Sequence, residues 1–442
     1  MHIIILGDSI TAQAIAKELA TGHDISLIGE DKETLINLDK HSDCQIIVGN
    51  PLSTEHWQEA NMANCELVIC LCRMEEQNII ASQVISNMYP LIHTLCSVSL
   101  EYYAIQEHLF SDNIRHRCLS SAHLMAKIVK QLLKHRYTEE IISTADGIIN
   151  TLNIIVEQDA PIVGKDIQSI HKNLAKPSAI VGHYRDGEAL SIQDNTICLA
   201  KDELLIAVPE SYDAGIIHYI TGKQNPYEDI MLAGGSSVTQ ELLNSMDTPY
   251  QITVIEPDLT TARRIAEQYQ QVTVIHGDIN DTALLDEEEL HKMDALLALS
   301  EDDENNLVCA LQGCTHKVPF VAATIKRESL IPLIQHSPID LILSPQQILL
   351  DAIFKQITPK DVHEVHKLSR HTGFIMEISV PEHLDGKKES DWNLPKNSVL
   401  FGLIREKQVL EFNENTILRH KDKVHIFAPD KAAQTEIFAI LK

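Results

Sequence analysis

The chain has 442 residues, of which 44% are hydrophobic and 22% are charged. That composition can bury sizeable cores and is unlike that of a disordered chain. The 63 acidic residues outnumber the 36 lysines and arginines, so the formal net charge is -27. Because such a surface repels phosphate backbones and anionic headgroups, we expect no nucleic-acid partner. No apolar run approaches the roughly 20 residues that span a bilayer, so we also expect no direct insertion into lipid.

The first part of the chain alternates predicted strands and helices. Apolar strands are expected at His2–Leu6, Asp24–Ile28, Cys44–Val48 and Glu66–Leu71, and helices at Thr11–Ala20, Lys32–Asp39 and Ile79–Met88. Apolar strands separated by helices are typical of a parallel sheet that is covered on both faces. The pattern therefore predicts a doubly wound α/β lobe.

A different pattern follows this lobe. Residues Ala122–His135 carry apolar side chains at helical spacing, which fits a crossover helix or a helix that packs in a dimer. Beyond it, Ile148–Val156 and Ala189–Ala207 contain short strand-like segments with turn residues between them. We predict a small α+β lobe for this part, closed by a linker at residues 222–226.

The second half of the chain repeats the first. Met1–Ser9 is restated by Asp229–Ser237, so that Gly7 recurs as Gly234, and the later pair Gly164-Lys165 recurs as Gly386-Lys387. Because the matches keep their order over the whole length, they indicate a duplicated unit. We expect Rossmann-like lobes at 1–120 and 227–344, crossover helices at 121–137 and 345–360, and small lobes at 138–223 and 361–442.

Each repeat opens with a strand that runs into a glycine-containing loop. The loops read Gly7-Asp8-Ser9-Ile10-Thr11-Ala12 and Gly234-Gly235-Ser236-Ser237-Val238-Thr239. The dinucleotide fingerprint G-x-G-x-x-G needs its glycines for a tight turn, for approach to the pyrophosphate and for helix packing. Only the first of these glycines is kept in each loop. The loops therefore support a Rossmann scaffold more strongly than a working site.

The acid that should hold the ribose is present in one repeat only. In the second repeat, Glu256 ends the second strand, where a ribose-binding acid is expected. In the first repeat Gly29 has that place, and Glu30 follows one residue later on the opposite face of the strand. Asp8 is expected to lie where a pyrophosphate would meet the helix N-terminus and to repel it. We therefore expect nucleotide in the second unit only.

Three segments of the second repeat resemble a known family. They are Ile275-His276-Gly277-Asp278, Ser300-Glu301-Asp302-Asp303-Glu304-Asn305-Asn306, and the run Ile339–Gln347 with its Ser-Pro-Gln-Gln helix entry. They are similar to motifs of the RCK (also called KTN) regulators of potassium conductance. The tandem arrangement resembles the peripheral subunits of Trk-type potassium uptake systems. This implies two tandem Rossmann-like parallel-sheet lobes, each followed by a small α+β RCK C-terminal lobe.

The resemblance also implies a ligand, NAD(H) or an adenine nucleotide (ATP/ADP), and positions for its contacts. By matching position, Gly234, Gly235 and Ser236 border the pyrophosphate, and Glu256 holds the adenosine ribose. Asp278 lies beside the adenine, and Ser300, Glu304 and Arg327 flank the distal ribose and phosphates. The first repeat departs from the motif, with Asn50 in place of the adenine-side acid and no arginine in Ser97–Leu100.

We therefore expect a cytoplasmic regulatory subunit that is peripheral on the inner face of the membrane and gates an integral potassium-transport subunit. The scattered cysteines fit a reduced compartment. The chain is expected to form a homo-oligomer, a dimer or a tetramer ring, through Ala122–His135 and Gln346–Ile357. No catalytic or metal-binding constellation stands out. Two alternatives stay open, an NAD-dependent oxidoreductase with degenerate loops and a ligand-free structural gating ring.

Overall fold

A computed structural model describes most of the chain. The described residues are 1–33, 35, 43–99, 115–190, 192, 196–223, 227–246, 250–334, 337–357, 362–368, 371–406, 408–410 and 415–441. Most of the predicted helix at Lys32–Asp39 and the last three residues of the predicted linker at 222–226 lie outside these residues.

The first lobe is built on a six-stranded parallel sheet in the order β3-β2-β1-β4-β5-β6. Its strands are β1 His2–Leu6, β2 Asp24–Gly29, β3 Cys44–Val48, β4 Leu67–Cys70, β5 His93–Ser97 and β6 His116–Leu119. Its helices are α1 Ile10–Leu19, α2 Thr54–Glu59 and α3 Glu75–Met88, and α4 Ser121–Lys134 follows. The strand order reverses between β1 and β4, which is where doubly wound sheets bind ligands.

The first small lobe has a five-stranded antiparallel sheet in the order β10-β9-β11-β8-β7. Its elements are β7 Glu140–Thr144, β8 Ile149–Ile155, α5 Ile167–Lys172, β9 Ala179–Arg185, β10 Glu188–Ala189, β11 Glu203–Pro209 and α6 Asp213–Thr221. Of the predicted strand segment Ala189–Ala207, Ala189 lies in β10 and residues 203–207 lie in β11.

The second Rossmann-like lobe repeats the first, with the parallel order β14-β13-β12-β15-β16-β17. Its elements are β12 Asp229–Ala233, α7 Ser237–Ser245, β13 Gln251–Glu256, α8 Leu259–Gln268, β14 Thr273–His276, α9 Thr282–Glu287, β15 Ala295–Ala298, α10 Asp303–Thr315, β16 Phe320–Thr324, α11 Ile331–Ile334, β17 Leu341–Leu343 and α12 Pro345–Ile357. Strand β12 is buried along its apolar run, as a central strand covered on both faces must be.

The second small lobe carries an antiparallel sheet in the order β18-β19-β22-β20-β21. Its elements are β18 Val362–Lys367, β19 Phe374–Ser379, β20 Val399–Arg405, β21 Gln408–Leu410, β22 Lys423–Ala428 and α13 Lys431–Ile440. Two tandem α/β lobes with parallel sheets, each followed by a small lobe, confirm the predicted fold class.

The lobes group by type and not by repeat. Residues 1–129 and 228–353, which hold both parallel sheets, form one compact unit, and residues 130–227 and 354–442, which hold both antiparallel sheets, form the other. Within the second unit, the two small sheets share one apolar cluster that includes Val181, Leu205, Ile375 and Phe427. Each small sheet therefore buries part of its core against the other repeat.

The two crossover helices bury part of their apolar faces within the chain. Val129 and Leu133 on α4 are buried, as are Leu349 and Ile353 on α12, whereas Phe354 on α12 is 38% exposed. The contact between copies through these helices stays a prediction. Among the described residues, no helix is both long and apolar enough to cross a membrane.

Candidate functional site

The loop after β12 is held tightly against the end of β15. Gly234 has φ +102°, and a Cβ at this position would stand 2.6 Å from the backbone of Ser300. Only glycine satisfies both the left-handed backbone and the close approach. The hydroxyl of Thr239 donates to the Gly234 carbonyl at 2.5 Å, which ties helix α7 back to the loop. The site therefore begins at a fixed turn at the switch point of the sheet.

Glu256 at the end of β13 faces this loop. Its Oε2 accepts the N–H of Gly235 at 2.5 Å, and its Oε1 accepts the N–H of Asp258 at 2.8 Å. A Cβ on Gly235 would stand 2.6 Å from Cδ1 of Ile265 and 3.0 Å from the same Oε2, so the glycine leaves room for both an apolar side chain and the carboxylate. Glu256 is 8% exposed. Loop and strand end are thus joined by the acid that the sequence assigns to the ribose.

Helix α7 begins directly beyond Gly235. Ser236 is its N-cap residue, but no side chain caps the helix. The first N–H groups of a helix carry partial positive charge and suit an anionic group. A diphosphate on the loop would therefore meet the helix start at Ser236 and Ser237.

Asn306 clamps the far side of the site. Its Oδ1 accepts the Ser300 N–H at 2.8 Å, and its Nδ2 donates to the carbonyls of Ser300 and Thr324, each at 2.9 Å. In the first lobe, Asn78 makes the same set of bonds to Cys72 and Ser97. The sequence shows this recurrence, but sequence reasoning gave the asparagine no role.

Two cations lie at the mouth of the site, and both have acidic partners. The guanidinium of Arg327 forms ion pairs with Glu304 and, at 3.5 Å, with Asp303. The hydrogen bond with Glu304 raises the pKa of Arg327. The ammonium of Lys326 pairs with Glu301. A phosphate would have to compete with these carboxylates.

A cavity of about 390 Å³ opens between the two parallel-sheet lobes at this point. In the second lobe, the cavity is lined by the start of α7, the ends of β15 and β16 and the start of α12, with the residues Ser236, Ser237, Val238, Leu299, Ser300, Glu301, Thr324, Lys326, Arg327, Pro345 and Gln346. In the first lobe, it is lined by the starts of α1 and α4, with the residues Ile10, Thr11, Ser121 and Met125. It therefore lies on the β15–β16 side of the loop, opposite Glu256.

The predicted site residues fall into three groups. Gly234, Gly235 and Glu256 meet at the loop. Ser236, Ser300 and Arg327 line the cavity, and Glu304 reaches it through its ion pair with Arg327. Asp278 stands apart after β14, where its Oδ1 accepts the N–H of Asn280 at 2.9 Å. Among the described residues, no group of three or more His, Cys, Asp and Glu could hold a metal ion.

In the first lobe, the carboxylate between the loop and the end of the second strand comes from the loop itself, from Asp8. Oδ2 of Asp8 accepts the N–H groups of Glu30 and Asp31 at 2.9 and 2.8 Å. Arg73 donates from Nε to Asp8 Oδ1 at 3.0 Å and from a terminal nitrogen to Asp31 at 3.3 Å. A Cβ on Gly29 would stand 2.7 Å from that of Asp8. Acid and glycine have exchanged places between the lobes, since Asp8 corresponds to Gly235 and Gly29 to Glu256.

The Asp8 carboxylate does not cap helix α1. Ser9 caps α1, accepting the Ala12 N–H at 3.1 Å, and the Asp8 carboxylate turns the other way, toward the end of β2. Two backbone N–H groups and an arginine outweigh the helix dipole as partners for a carboxylate. Arg73 was not predicted either, because the arginine that the resemblance implies follows β16, which corresponds to β5 in the first lobe, and Arg73 follows β4.

Comparison with known proteins agrees with this geometry. A family model described as the TrkA-N domain matches residues 3–112 and 230–345, once in each repeat. The Trk system potassium uptake protein TrkA of Haemophilus influenzae is 26% identical over 453 residues, covering 99% of this chain and 98% of that protein. The GsuK RCK domain aligns with 100% of this chain and 94% of its own, at TM-score 0.62 and 13% identity. A GsuK channel bound to NAD aligns at TM-score 0.62 and 15% identity, covering 100% of this chain and 78% of the channel chain. The predicted RCK-type fold is confirmed.

Proposed function

Because the chain belongs to the TrkA-N domain family, we propose that it is the regulatory subunit of a Trk-type potassium uptake system. It binds NAD(H) or an adenine nucleotide and gates an integral membrane potassium-transport subunit. The chain is cytoplasmic and peripheral on the inner face of the membrane. It works as a homo-oligomer, a dimer or a tetramer ring, and performs no catalytic step. The similarity to the Haemophilus influenzae uptake protein over nearly all of both chains supports the potassium role.

One observation carries the nucleotide role. In the second lobe, the buried Glu256 is bonded to the glycine loop on one side of the switch point, and a cavity opens on the other side. A carboxylate at this strand end can accept hydrogen bonds from both ribose hydroxyls, and its charge disfavours a 2′-phosphate. We therefore propose NAD(H) over NADP(H), with the adenosine toward Glu256 and Asp278. Gly234, Gly235 and Ser236 border the pyrophosphate, and Ser300, Glu304 and Arg327 flank the distal half.

The first lobe does not take part as a second receptor in this proposal. Asp8 and Arg73 already occupy the volume beside its loop, and their ion pair holds the end of β2 against the loop. A nucleotide there would bring phosphate charge against the Asp8 carboxylate. The proposal is therefore one nucleotide per chain.

Two measurements test the proposal. Calorimetry of the purified full chain with NADH, NAD, ADP and ATP should give one site per chain, and two sites per chain would contradict the assignment to the second lobe. In a cell without another copy, deletion of the gene should impair growth at low potassium, and the intact gene should restore it. Unimpaired potassium uptake after deletion would contradict the transport role even if nucleotide binds.

A further inference from the structure

A buried histidine without partners lies at the edge of the first parallel sheet. His116 is the first residue of β6, the last strand in the sheet order, and is 3% exposed. Among the described residues, neither of its ring nitrogens has a hydrogen-bond partner. Thr94 lies beside it in register on β5, is fully buried, and has a hydroxyl that is also unpartnered in the described part of the chain. Three polar atoms are thus buried without partners at one place, which is costly.

The second lobe does not repeat this arrangement. Asp340 corresponds to His116, since each lies three residues before the Leu-Ser pair that leads into a crossover helix. Oδ2 of Asp340 accepts the N–H of Val321 at 2.7 Å, so the polar side chain at this edge is satisfied. The two sheets have the same strand order. The fold therefore does not by itself require an unpartnered histidine at this position.

The arginines next to His116 in the chain do not face it. Arg115 and Arg117 flank it along the strand, and neighbouring residues of a strand point to opposite faces of the sheet. Burial and both arginines lower the pKa of His93, which lies at the start of β5 on that opposite face. The two positive charges therefore belong to the other side of the sheet.

Helix α3 covers the face to which His116 points. The titratable groups of β5, β6 and α3 on this side are two thiols, two carboxylates and a phenol: Cys96, Cys118, Glu75, Glu76 and Tyr89. Both carboxylates lie in the first turn of the helix, near the edge where the strands end, whereas His116 begins its strand. Burial, with no charged group contributing, lowers the pKa of His116 from 6.5. The ring is thus enclosed in its neutral form.

Strand β6 leads directly into helix α4. The hydroxyl of Ser120, between the two elements, accepts the N–H of His123 at 3.2 Å, as an N-cap residue does. Ser121 and Met125, in the first turns of the helix, line the cavity beside the glycine loop of the second lobe. A movement of β6 would therefore reach the start of α4 and one wall of that cavity.

We propose that protonation of His116 releases β6 from the sheet edge and loosens the start of α4, which makes the first lobe an acid-sensitive element. An imidazolium here has no carboxylate beside it among the described residues, so the strand must open to bring the charge to water. Opening is unaffected by pH well above 6.5, where the ring is neutral in both states. It becomes easier as pH falls from 6.5 toward the lowered pKa of the enclosed ring, because only the open state then binds the proton.

Hydrogen exchange of the full chain at pH values from about 7.5 to 5 tests the proposal without any nucleotide. Backbone rates are corrected for their intrinsic pH dependence, and β6 is compared with β17, the corresponding edge strand, in the same sample. Strand β17 contains no histidine. We expect the opening of β6 to increase about five- to tenfold between pH 7.5 and 5.5, and that of β17 to change less than twofold.

Two variants assign the effect to one ring. His116→Leu removes the titrating group and should abolish the pH dependence of β6. His93→Leu is the matched control, because the pKa of His93 is also lowered and it begins the neighbouring strand, but it is exposed and lies on the other face. This control should keep the full pH dependence. Exchange of the imidazole C2 proton of His116, followed by mass spectrometry in the parent, should give a midpoint below 6.5.

Three outcomes would overturn the proposal. The first is a pH dependence of β6 that is the same in the parent and in His116→Leu. The second is equal loosening of β17, which would indicate a general effect of acid on both lobes. If His116→Leu does not fold, a C2 midpoint at or above 6.5 in the parent is sufficient. The nucleotide role is tested separately by calorimetry, and none of these outcomes bears on it.

Discussion

Single carboxylates distinguish the two lobes. Glu256 accepts one N–H with each oxygen, whereas Asp8 accepts two N–H groups with Oδ2 and an arginine with Oδ1. A carboxylate offers about four lone-pair sites, and ribose hydroxyls can use those that remain on Glu256. The Asp8 carboxylate is crowded by Arg73 as well. The same chemical group is therefore available to a ligand in one lobe and engaged by the protein in the other.

The first prediction concerns Glu256. Glu256→Ala should weaken NADH binding about ten- to a hundredfold, because hydrogen bonds to a charged group contribute about 1.5–3 kcal/mol. Glu30→Ala should leave binding unchanged, since Glu30 belongs to the lobe that Asp8 and Arg73 close. Calorimetry of both variants beside the parent checks this, and equal losses would show that the first lobe binds nucleotide.

The second prediction reverses the exchange. In a Glu256→Ala background, the pair Asp8→Gly and Gly29→Glu should create binding in the first lobe, because it restores a glycine loop facing an acid at the strand end. Neither substitution alone should do so. The NADH titration should change from the weakened binding of Glu256→Ala alone to one tighter site per chain, and an affinity unchanged from that of Glu256→Ala would mean that the exchange is not what closes this lobe.

At the scale of elements, Asn306 and Asn78 form hydrogen bonds with backbone groups at strand ends that the sheets leave without partners. Asn306 satisfies one N–H and two carbonyls, and Asn78 does the same in the first lobe. Asn306→Ala and Asn78→Ala should each lower the free energy of unfolding by about 2–4 kcal/mol, since buried backbone groups lose their partners. Urea unfolding measures this. Only Asn306→Ala should also reduce NADH binding, and a similar reduction in Asn78→Ala would contradict a separate site.

Strands β19 and β22 carry a buried charge cluster that makes stability depend on pH. Burial alone would raise the pKa of Glu377, but hydrogen bonds from His425 and Lys423 outweigh it and lower the pKa to about 2. A carboxyl whose pKa is lowered on folding stabilises above its ordinary value of 4.5, and this stabilisation is lost as pH falls toward 2. Glu377→Gln should cost roughly 3 kcal/mol at pH 7 and much less near pH 2. A loss that is the same at both pH values would contradict it.

Element type and order could be predicted from the sequence, but some pairings could not. Helix α4 was expected at Ala122–His135 and spans Ser121–Lys134, because its apolar spacing is regular. Helix α3 was expected to begin at Ile79 and begins at Glu75, since polar residues of its first turn lie outside the apolar pattern. The Asp8–Arg73 ion pair joins residues on different loops, and no local periodicity reports such a contact. Glu256 could be predicted because the fold fixes its position at the end of the strand.

Across the whole molecule, each half of the chain supplies one lobe to each compact unit. The apolar cluster shared by the two small sheets draws Tyr184 and Leu205 from the first half and Leu368 and Phe401 from the second. Neither half can bury this cluster alone. A chain cut between residues 227 and 228 should therefore leave two fragments with exposed apolar faces.

That division gives the fifth prediction. Residues 1–227 expressed alone should self-associate or aggregate, because a second copy is then the available cover for the exposed faces. Co-expression with 228–442 should give a soluble complex with one copy of each fragment per assembled chain. Light scattering and gel filtration distinguish the two cases, and a stable monomer of 1–227 would contradict the shared core.

The exchange of acid and glycine in the first lobe is also hard to reverse one residue at a time. Gly29→Glu alone would push a side chain into Asp8, because the new Cβ would stand 2.7 Å from the Cβ of Asp8. Asp8→Gly alone would take the acceptor from two strand-end amides and from Arg73. Each single reversal is less favourable than the present pair of residues, so a reversal by point mutation meets a barrier whichever residue changes first. A duplicated chain that has crossed this barrier keeps its two lobes distinct, with the acid at the strand end in one lobe and in the glycine loop in the other.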